Sequence, residues 1–111
     1  MREMVATALR LKGYQVRTAG DGLAGLRLLD AYEPDLVVLD LGLPIVSGLD
    51  VVNELRAVAK TRRTPLIAIS GQDQQLRLAK DTNEFMATIA KPFDPQTLVR
   101  AVDRVMKQPG L

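Results

Sequence analysis

Two short apolar runs limit the fold of this chain more than any other feature. Residues 36–40 read Leu-Val-Val-Leu-Asp, and residues 66–70 read Leu-Ile-Ala-Ile-Ser. Runs without alternating polar positions are typical of strands that are covered on both faces, as in parallel sheets. Parallel strands need crossover connections, which are usually helices. The two runs therefore predict an α/β fold with a parallel sheet.

Each predicted strand ends on a side chain that can take part in chemistry. The first run ends on Asp40 and the second on Ser70, while a weaker strand at residues 87–90 is followed by Lys91. Ligands bind at the carboxyl edge of open α/β sheets. If the strands are parallel neighbours, a carboxylate, a hydroxyl and an ammonium group meet at that edge. This combination suits the acceptance of a phosphoryl group.

The remaining chain supplies helices between the strands. Apolar spacing and capping residues predict five helices. They lie at residues 1–12 with Gly13 as the cap, at 23–32, after Ser47, at 73–82, and from Pro95 with Asp94 as the cap. The helix after Ser47 has Leu49, Val52, Leu55 and Ala59 facing inward, and the helix at 73–82 has a thin apolar face of Leu76 and Ala79. Residues 14–19 alternate in side-chain type and predict a half-exposed edge strand. The alternation of elements predicts one doubly wound α/β domain over residues 1–111 that ends at Pro109–Gly110.

Composition excludes several classes of function. The 111 residues include no histidine and no cysteine, so disulfides, thiolate zinc sites and histidine catalysis are ruled out. The net charge is only +2, and the basic cluster at residues 60–63 has no interleaved aromatic residues. We interpret that cluster as a solvated loop rather than a nucleic-acid surface. Without a signal peptide or a membrane-length apolar segment, the expected location is the cytoplasm.

Four motifs, in this order and spacing, resemble one known family. They are Gly13-Tyr14-Gln15-Val16, Asp40-Leu41-Gly42-Leu43-Pro44 with Gly48 downstream, Pro65 through Ser70-Gly71, and Lys91-Pro92-Phe93. The chain resembles the receiver domain of bacterial two-component response regulators over nearly its whole length. The resemblance implies a flavodoxin-like (CheY-like) three-layer sandwich with five parallel strands in the order 2-1-3-4-5.

The family resemblance also implies a function for the three strand ends. Asp40 would accept a phosphoryl group from a histidine kinase or a phosphotransfer protein. Ser70 would hydrogen-bond the phosphoryl oxygens, and Lys91 would pair with the carboxylate and then with the phosphate. The Lys91–Pro92 peptide bond is expected to be cis. One oxygen of Asp40 and the backbone carbonyl of Gly42 would bind Mg²⁺.

The start of the sequence departs from the family pattern. Met1 falls where the first helix of a receiver begins, so the first strand and the acidic pair that supplies most of the Mg²⁺ site are missing from this chain. Asp21, Asp35 and Asp50 stand at other places in the pattern and do not replace the pair. We expect a truncated start, with a rearranged sheet or strand exchange in a dimer as the alternatives, and weak Mg²⁺ binding.

Three functions follow from these observations. The leading hypothesis is a signalling switch, not an enzyme, in which phosphorylation of Asp40 changes the face formed by the last two helices and the last strand. That face would bind an effector or a second copy of the chain. The alternative is a pseudo-receiver that binds partners without taking up phosphate. An enzyme on the same fold has little support, because the chain lacks a glycine-rich phosphate loop and an aromatic flavin platform.

Overall fold

Helices and strands alternate along the described part of the chain from Gly22 onward, and one further helix precedes them. The structure, a computed structural model, describes residues 2–42 and 48–107. Its elements are α1 (Arg2–Leu11), α2 (Gly22–Ala31), β1 (Val37–Asp40), α3 (Gly48–Ala57), β2 (Leu66–Ser70), α4 (Asp73–Thr82), β3 (Ala87–Ala90) and α5 (Pro95–Met106). All five predicted helices and the three apolar strands are confirmed. The inward position predicted for Ala59 is wrong, because α3 ends at Ala57 and Ala59 lies beyond it and is exposed. The predictions for Met1, Pro44, Ser47 and Pro109–Gly110 lie outside the described residues.

The three strands form one parallel sheet in the order β1-β2-β3. The register pairs Asp40 with Ile69 and Ser70 with Ala90, so these strands end close to one another. Of the five strands in the order 2-1-3-4-5 that the resemblance implies, the described residues contain the last three, and the first strand was expected to be missing from this chain. Among them β2 has a neighbour on each side, whereas β1 pairs with β2 alone.

Alternate residues of the strands enter two separate cores, which makes a three-layer sandwich. The core shared with α1 and α5 contains Leu9, Ile67, Ile69, Ile89, Leu98, Val99, Ala101, Val102 and Val105. The core on the opposite face contains Leu39, Leu41, Val51, Val52, Leu55, Leu66, Ala68 and Ala79, with Leu26 and Leu29 of α2 packed against it. Because the side-chain period of a strand is two, a strand such as β2 must be apolar at every position to serve both cores.

The cap after α1 has the geometry that the sequence predicts. Gly13 has φ +97°, which favours glycine because it lacks a Cβ. The N–H of Gly13 donates to the carbonyl of Arg10 at 2.9 Å, and the N–H of Tyr14 donates to that of Leu9 at 3.3 Å. This pair of bonds is the Schellman motif, and it fixes the direction in which the chain leaves α1.

Two aspartates cap helices as acceptors of backbone N–H groups. Asp21 accepts from the N–H of Ala24 at 2.8 Å and so begins α2. Asp94 accepts from the N–H of Gln96 at 2.9 Å, with Pro95 in the first turn, as predicted. A side-chain cap of this kind stabilises a helix by about 0.5–2 kcal/mol. The cap at Asp94 starts α5 shortly after Lys91, which follows β3.

The predicted strand at residues 14–19 is wrong. No described strand pairs with this segment, and extended backbone needs hydrogen-bond partners to become part of a sheet. The segment is tied down by other contacts: a guanidinium nitrogen of Arg10 donates to the carbonyl of Val16 at 3.0 Å, and the hydroxyl of Tyr14 donates to the carboxylate of Asp103 on α5. Its alternating side chains therefore reflect partial burial of Tyr14 and Val16 against the α1–α5 core rather than strand pairing.

The helices of the described ranges are all short. The longest, α5, has 12 residues. Among residues 2–42 and 48–107, no helix has the length and apolar character needed to cross a membrane.

Candidate functional site

Asp40 and Lys91 meet at the carboxyl edge of the sheet. Asp40 is the last residue of β1, and Lys91 directly follows β3, on the far side of β2. The ammonium group of Lys91 nevertheless reaches across and donates to Oδ2 of Asp40. Both side chains are partly exposed, at 29% for Lys91 and 22% for Asp40. The pair is therefore open to a reactant from solvent while each charge has a partner.

The second oxygen of Asp40 is also engaged. The backbone N–H of Gly42 donates to Oδ1 at 2.9 Å, which closes a tight turn after β1. A Cβ on residue 42 would lie 3.4 Å from Oδ1, so a larger residue would crowd the carboxylate. Each carboxylate oxygen has room for a further interaction beyond one hydrogen bond. The two contacts thus orient the carboxylate without using up its nucleophilic lone pairs.

Ser70 ends the central strand between these two partners. The N–H of Lys91 donates to the carbonyl of Ser70 at 2.8 Å, and the N–H of Leu41 donates to that of Ile69 at 2.9 Å, so the three chain segments leave the sheet side by side. The Ser70 side chain is buried and turned to the beginning of α4. The structure brings Asp40 and Lys91 into direct contact, and it places the Ser70 hydroxyl at the same edge with other partners.

The Lys91–Pro92 peptide bond is cis, as the resemblance implied. Phe93 packs against the α1–α5 core, and the cap at Asp94 follows at once. The backbone that carries Lys91 is thus fixed by β3 before it and by the start of α5 after it.

The described residues provide only a sparse set of ligands for a Mg²⁺ ion. Magnesium takes octahedral oxygen ligands, commonly one or two carboxylates with several waters. Asp40 offers one carboxylate, whose two oxygens already accept hydrogen bonds from Lys91 and from Gly42. In the described ranges no group of three or more aspartate, glutamate, histidine or cysteine side chains could hold a metal ion. The predicted ligand role of the Gly42 carbonyl stays a prediction, since the contact seen is that of its N–H.

Two residues near the sheet ends were missed by the sequence analysis. Gln75 accepts the hydroxyl proton of Ser70, with 2.5 Å between Oε1 and Oγ. No capping-box pattern marks Gln75, because the cap residue three positions before it is Gln72 rather than Ser, Thr, Asp or Asn. Arg56 lies at the opposite end of the sheet, where it binds Glu84 and three loop carbonyls. No local pattern marks Arg56, because its partners are irregular loop carbonyls after α3 and the distant Glu84.

Comparisons with known proteins agree with this geometry. The family model for the response regulator receiver domain matches residues 1–103. Among curated proteins, the chain is 33% identical to the probable transcriptional regulatory protein TcrX of Mycobacterium tuberculosis, over 100% of this chain and 47% of that protein. It is 32% identical to the transcriptional regulatory protein PdtaR of the same species, over 93% and 50%. The chain therefore spans about half the length of these curated relatives.

Solved structures give the same result for the fold. The receiver domain of the sensor histidine kinase PA1611 from Pseudomonas aeruginosa, which holds a magnesium ion in its active site cleft, matches with a TM-score of 0.84 and 28% identity, over 96% of this chain and 88% of that one. The chemotaxis response regulator CheY4 of Vibrio cholerae matches with a TM-score of 0.84 and 27% identity, over 94% and 88%. These matches confirm the CheY-like sandwich.

Proposed function

This chain belongs to the response regulator receiver domain family, and we propose that it accepts a phosphoryl group on Asp40 in a two-component relay. The observation that carries the proposal is the contact between Asp40 and Lys91 at the carboxyl edge of the sheet. A partly exposed carboxylate that is oriented by Gly42 and faces a fixed cation suits this reaction. Phosphoryl transfer depends mainly on positioning and on the neutralisation of charge.

The chemistry of the step is an in-line displacement at phosphorus. An oxygen of Asp40 forms the new O–P bond while the P–N bond of a phosphohistidine donor breaks, and the bonding pair returns to the imidazole nitrogen. Lys91 then lies beside the phosphoryl oxygens as a point charge. Ser70, at the end of the neighbouring strand, would donate a hydrogen bond to one of them. The donor is a histidine kinase or a phosphotransfer protein.

Magnesium binding by this chain remains a prediction that rests on the resemblance. Asp40 and the Gly42 carbonyl would supply two ligands, and water would supply the others. The single carboxylate supports weak binding, so we expect phosphoryl uptake to need a high Mg²⁺ concentration.

Phosphoryl uptake is tested by intact mass after incubation with acetyl phosphate and Mg²⁺. We expect the parent chain to gain one phosphoryl group and Asp40→Asn to gain none, because an amide oxygen is a poor nucleophile. Asp35→Asn is the matched control, since Asp35 is exposed and precedes the same strand. Equal uptake by the parent chain and Asp40→Asn would overturn the assignment.

A pseudo-receiver is the second candidate, and one observation favours it. The described residues contain no acidic cluster for a metal, although receivers such as that of PA1611 can hold magnesium in their active site cleft. In this reading the domain binds an effector or a second copy without phosphorylation. A folded parent chain that gains no phosphoryl mass would support the pseudo-receiver over the phosphoacceptor.

A further inference from the structure

The hydroxyl of Ser70 has its hydrogen-bonding capacity committed to the start of α4. Its oxygen accepts the N–H of Gln72 at 3.0 Å, and its proton goes to Oε1 of Gln75 at 2.5 Å, with the carbonyl of Gln72 further away at 3.3 Å. A serine hydroxyl has a single proton to donate. With Ser70 only 1% exposed, solvent offers no replacement partner.

A phosphoryl oxygen on Asp40 and Oε1 of Gln75 compete for that one proton. Both are acceptors, so Ser70 can donate to one or to the other but not fully to both. We propose that Gln75 is a positioning residue that holds Ser70 away from the phosphoryl site, and that phosphorylation releases it. This inference rests on the proposed function and assigns a regulatory role to a residue outside the Asp40–Lys91 pair.

The first turn of α4 depends on the same hydroxyl. Gln72 is the cap residue of α4, and its side chain makes no capping hydrogen bond. In a capping box the residue at Gln75's position reaches back to the N–H of the cap. Here Ser70 Oγ binds that N–H, and Gln75 binds Ser70. The Ser70 hydroxyl thus links the N–H of Gln72 to the side chain of Gln75.

Release of Gln75 should therefore loosen the beginning of α4. The buried residues of this helix are only Leu76 and Ala79, so few apolar contacts oppose such a movement. Helix ends leave backbone N–H groups that need partners, and the cap through Ser70 satisfies one of them. When the Ser70 proton changes its acceptor from Gln75 to the phosphoryl group, the surface at the beginning of α4 therefore changes as well.

The rate of phosphoryl uptake from acetyl phosphate, followed by intact mass, tests the proposal with variants of opposite sign. Gln75→Leu removes the competing acceptor, and we expect uptake to rise by roughly two- to tenfold, the range that one net hydrogen bond represents. Gln75→Glu provides a charged and stronger acceptor, so uptake should fall. Gln74→Leu and Gln74→Glu are the matched controls, since Gln74 is exposed on the same helix turn. Equal rates for the two leucine variants, or faster uptake by Gln75→Glu, would overturn the proposal.

A second measurement separates this proposal from the proposed function. Amide hydrogen exchange of residues 72–76 is read on the unphosphorylated protein. We expect Gln75→Leu and Ser70→Ala each to speed exchange there, and the double variant to add little, because both remove the same contact. If neither the parent chain nor Gln75→Leu takes up phosphate, the phosphoacceptor function fails while this non-additivity still supports the contact. Unchanged exchange in Gln75→Leu contradicts the positioning role whatever the uptake.

Discussion

The two strands that carry Asp40 and Ser70 are held very differently. All five residues of β2 are buried, and β1 and β3 flank it. In β1 only Leu39 is buried, while Val37, Val38 and Asp40 are half-buried. The difference shows that the proposed phosphoacceptor Asp40 lies on a less enclosed strand than Ser70.

Backbone hydrogen bonds give the physical origin of this difference. The N–H of Val37 donates to the carbonyl of Pro65 at 3.0 Å, and that of Leu41 donates to Ile69 at 2.9 Å. In a parallel ladder successive residues of a strand alternate in the direction of their backbone groups. Those of Val38 and Asp40 therefore point to the other edge of β1, where the described residues provide no strand. An edge of this kind is a template for pairing with a further strand.

The largest expected effect comes from shortening side chains in the two strands. Ile67 of β2 is fully buried, so we expect Ile67→Ala to lower the free energy of unfolding by about 2–5 kcal/mol. Val38→Ala in β1 should cost only about 1 kcal/mol, because part of that side chain already faces solvent. Urea unfolding of both variants measures the two losses in the free energy of unfolding. A cost for Val38→Ala as large as that for Ile67→Ala would show that the open edge is covered in solution.

An intermediate effect is expected at the end of the sheet opposite the Asp40–Lys91 pair, where Arg56 binds Glu84. Nε of Arg56 donates to a carboxylate oxygen of Glu84 at 2.7 Å, and Nη1 donates to the carbonyls of Arg62 at 2.9 Å and Thr64 at 3.0 Å. Arg56→Met keeps much of the apolar stem but leaves these acceptors without a donor. We expect a loss of about 1–3 kcal/mol in the free energy of unfolding.

A nearby arginine provides the control for that experiment. Arg63 lies exposed in the same loop, so Arg63→Met removes an equal charge without the same contacts and should change stability by less than about 0.5 kcal/mol. Thermal unfolding of the two variants measures both effects. If Arg56→Met and Arg63→Met behave alike, the hydrogen bonds of Arg56 do not stabilise this end of the sheet.

The smallest effect is the pH dependence of stability that comes from the hydrogen bond between Tyr14 and Asp103. The hydrogen bond to Asp103, with burial, raises the pKa of Tyr14 to about 12, while the same bond, with Lys12 and Lys107 nearby, lowers the pKa of Asp103. A raised tyrosine pKa means that the folded state holds the proton more tightly. The stabilisation is therefore complete below pH 10, the ordinary pKa of tyrosine, and it is lost as the pH rises toward 12.

Tyr14→Phe removes the hydroxyl and makes this pH dependence measurable. The variant should be less stable than the parent chain at pH 8, and the difference should shrink as the pH rises above 10. For Asp103 the sign is opposite, since its lowered pKa gives stability above the ordinary value of 3.8 that is lost as the pH falls. Melting temperatures of the two chains across this range provide the test. A difference that stays constant from pH 8 to pH 11 would contradict the role of the bond.

Much of the fold was predictable because its signals are local. Gly13, Asp21 and Asp94 stop or start helices through bonds to residues a few positions away, and those bonds need no tertiary partner. The buried face of α4, with Leu76 and Ala79, also follows the predicted spacing. The strand predicted at residues 14–19 failed for the opposite reason. A strand exists only when another strand pairs with it, and that pairing is not encoded in the alternation of its own residues.

In the candidate site, too, the local features were predictable from the sequence and the tertiary contacts were not. The sequence by itself determined the order of the helices and the three buried strands, the parallel sheet and the placement of Asp40, Ser70 and Lys91 at the ends of its strands, because hydrophobic pattern fixes which segments are buried strands. Only the tertiary structure decided that Lys91 reaches Asp40 across β2, and that Ser70 turns to Gln75. A hydroxyl can rotate toward any acceptor within reach, and which acceptor is nearest depends on how the surrounding elements pack.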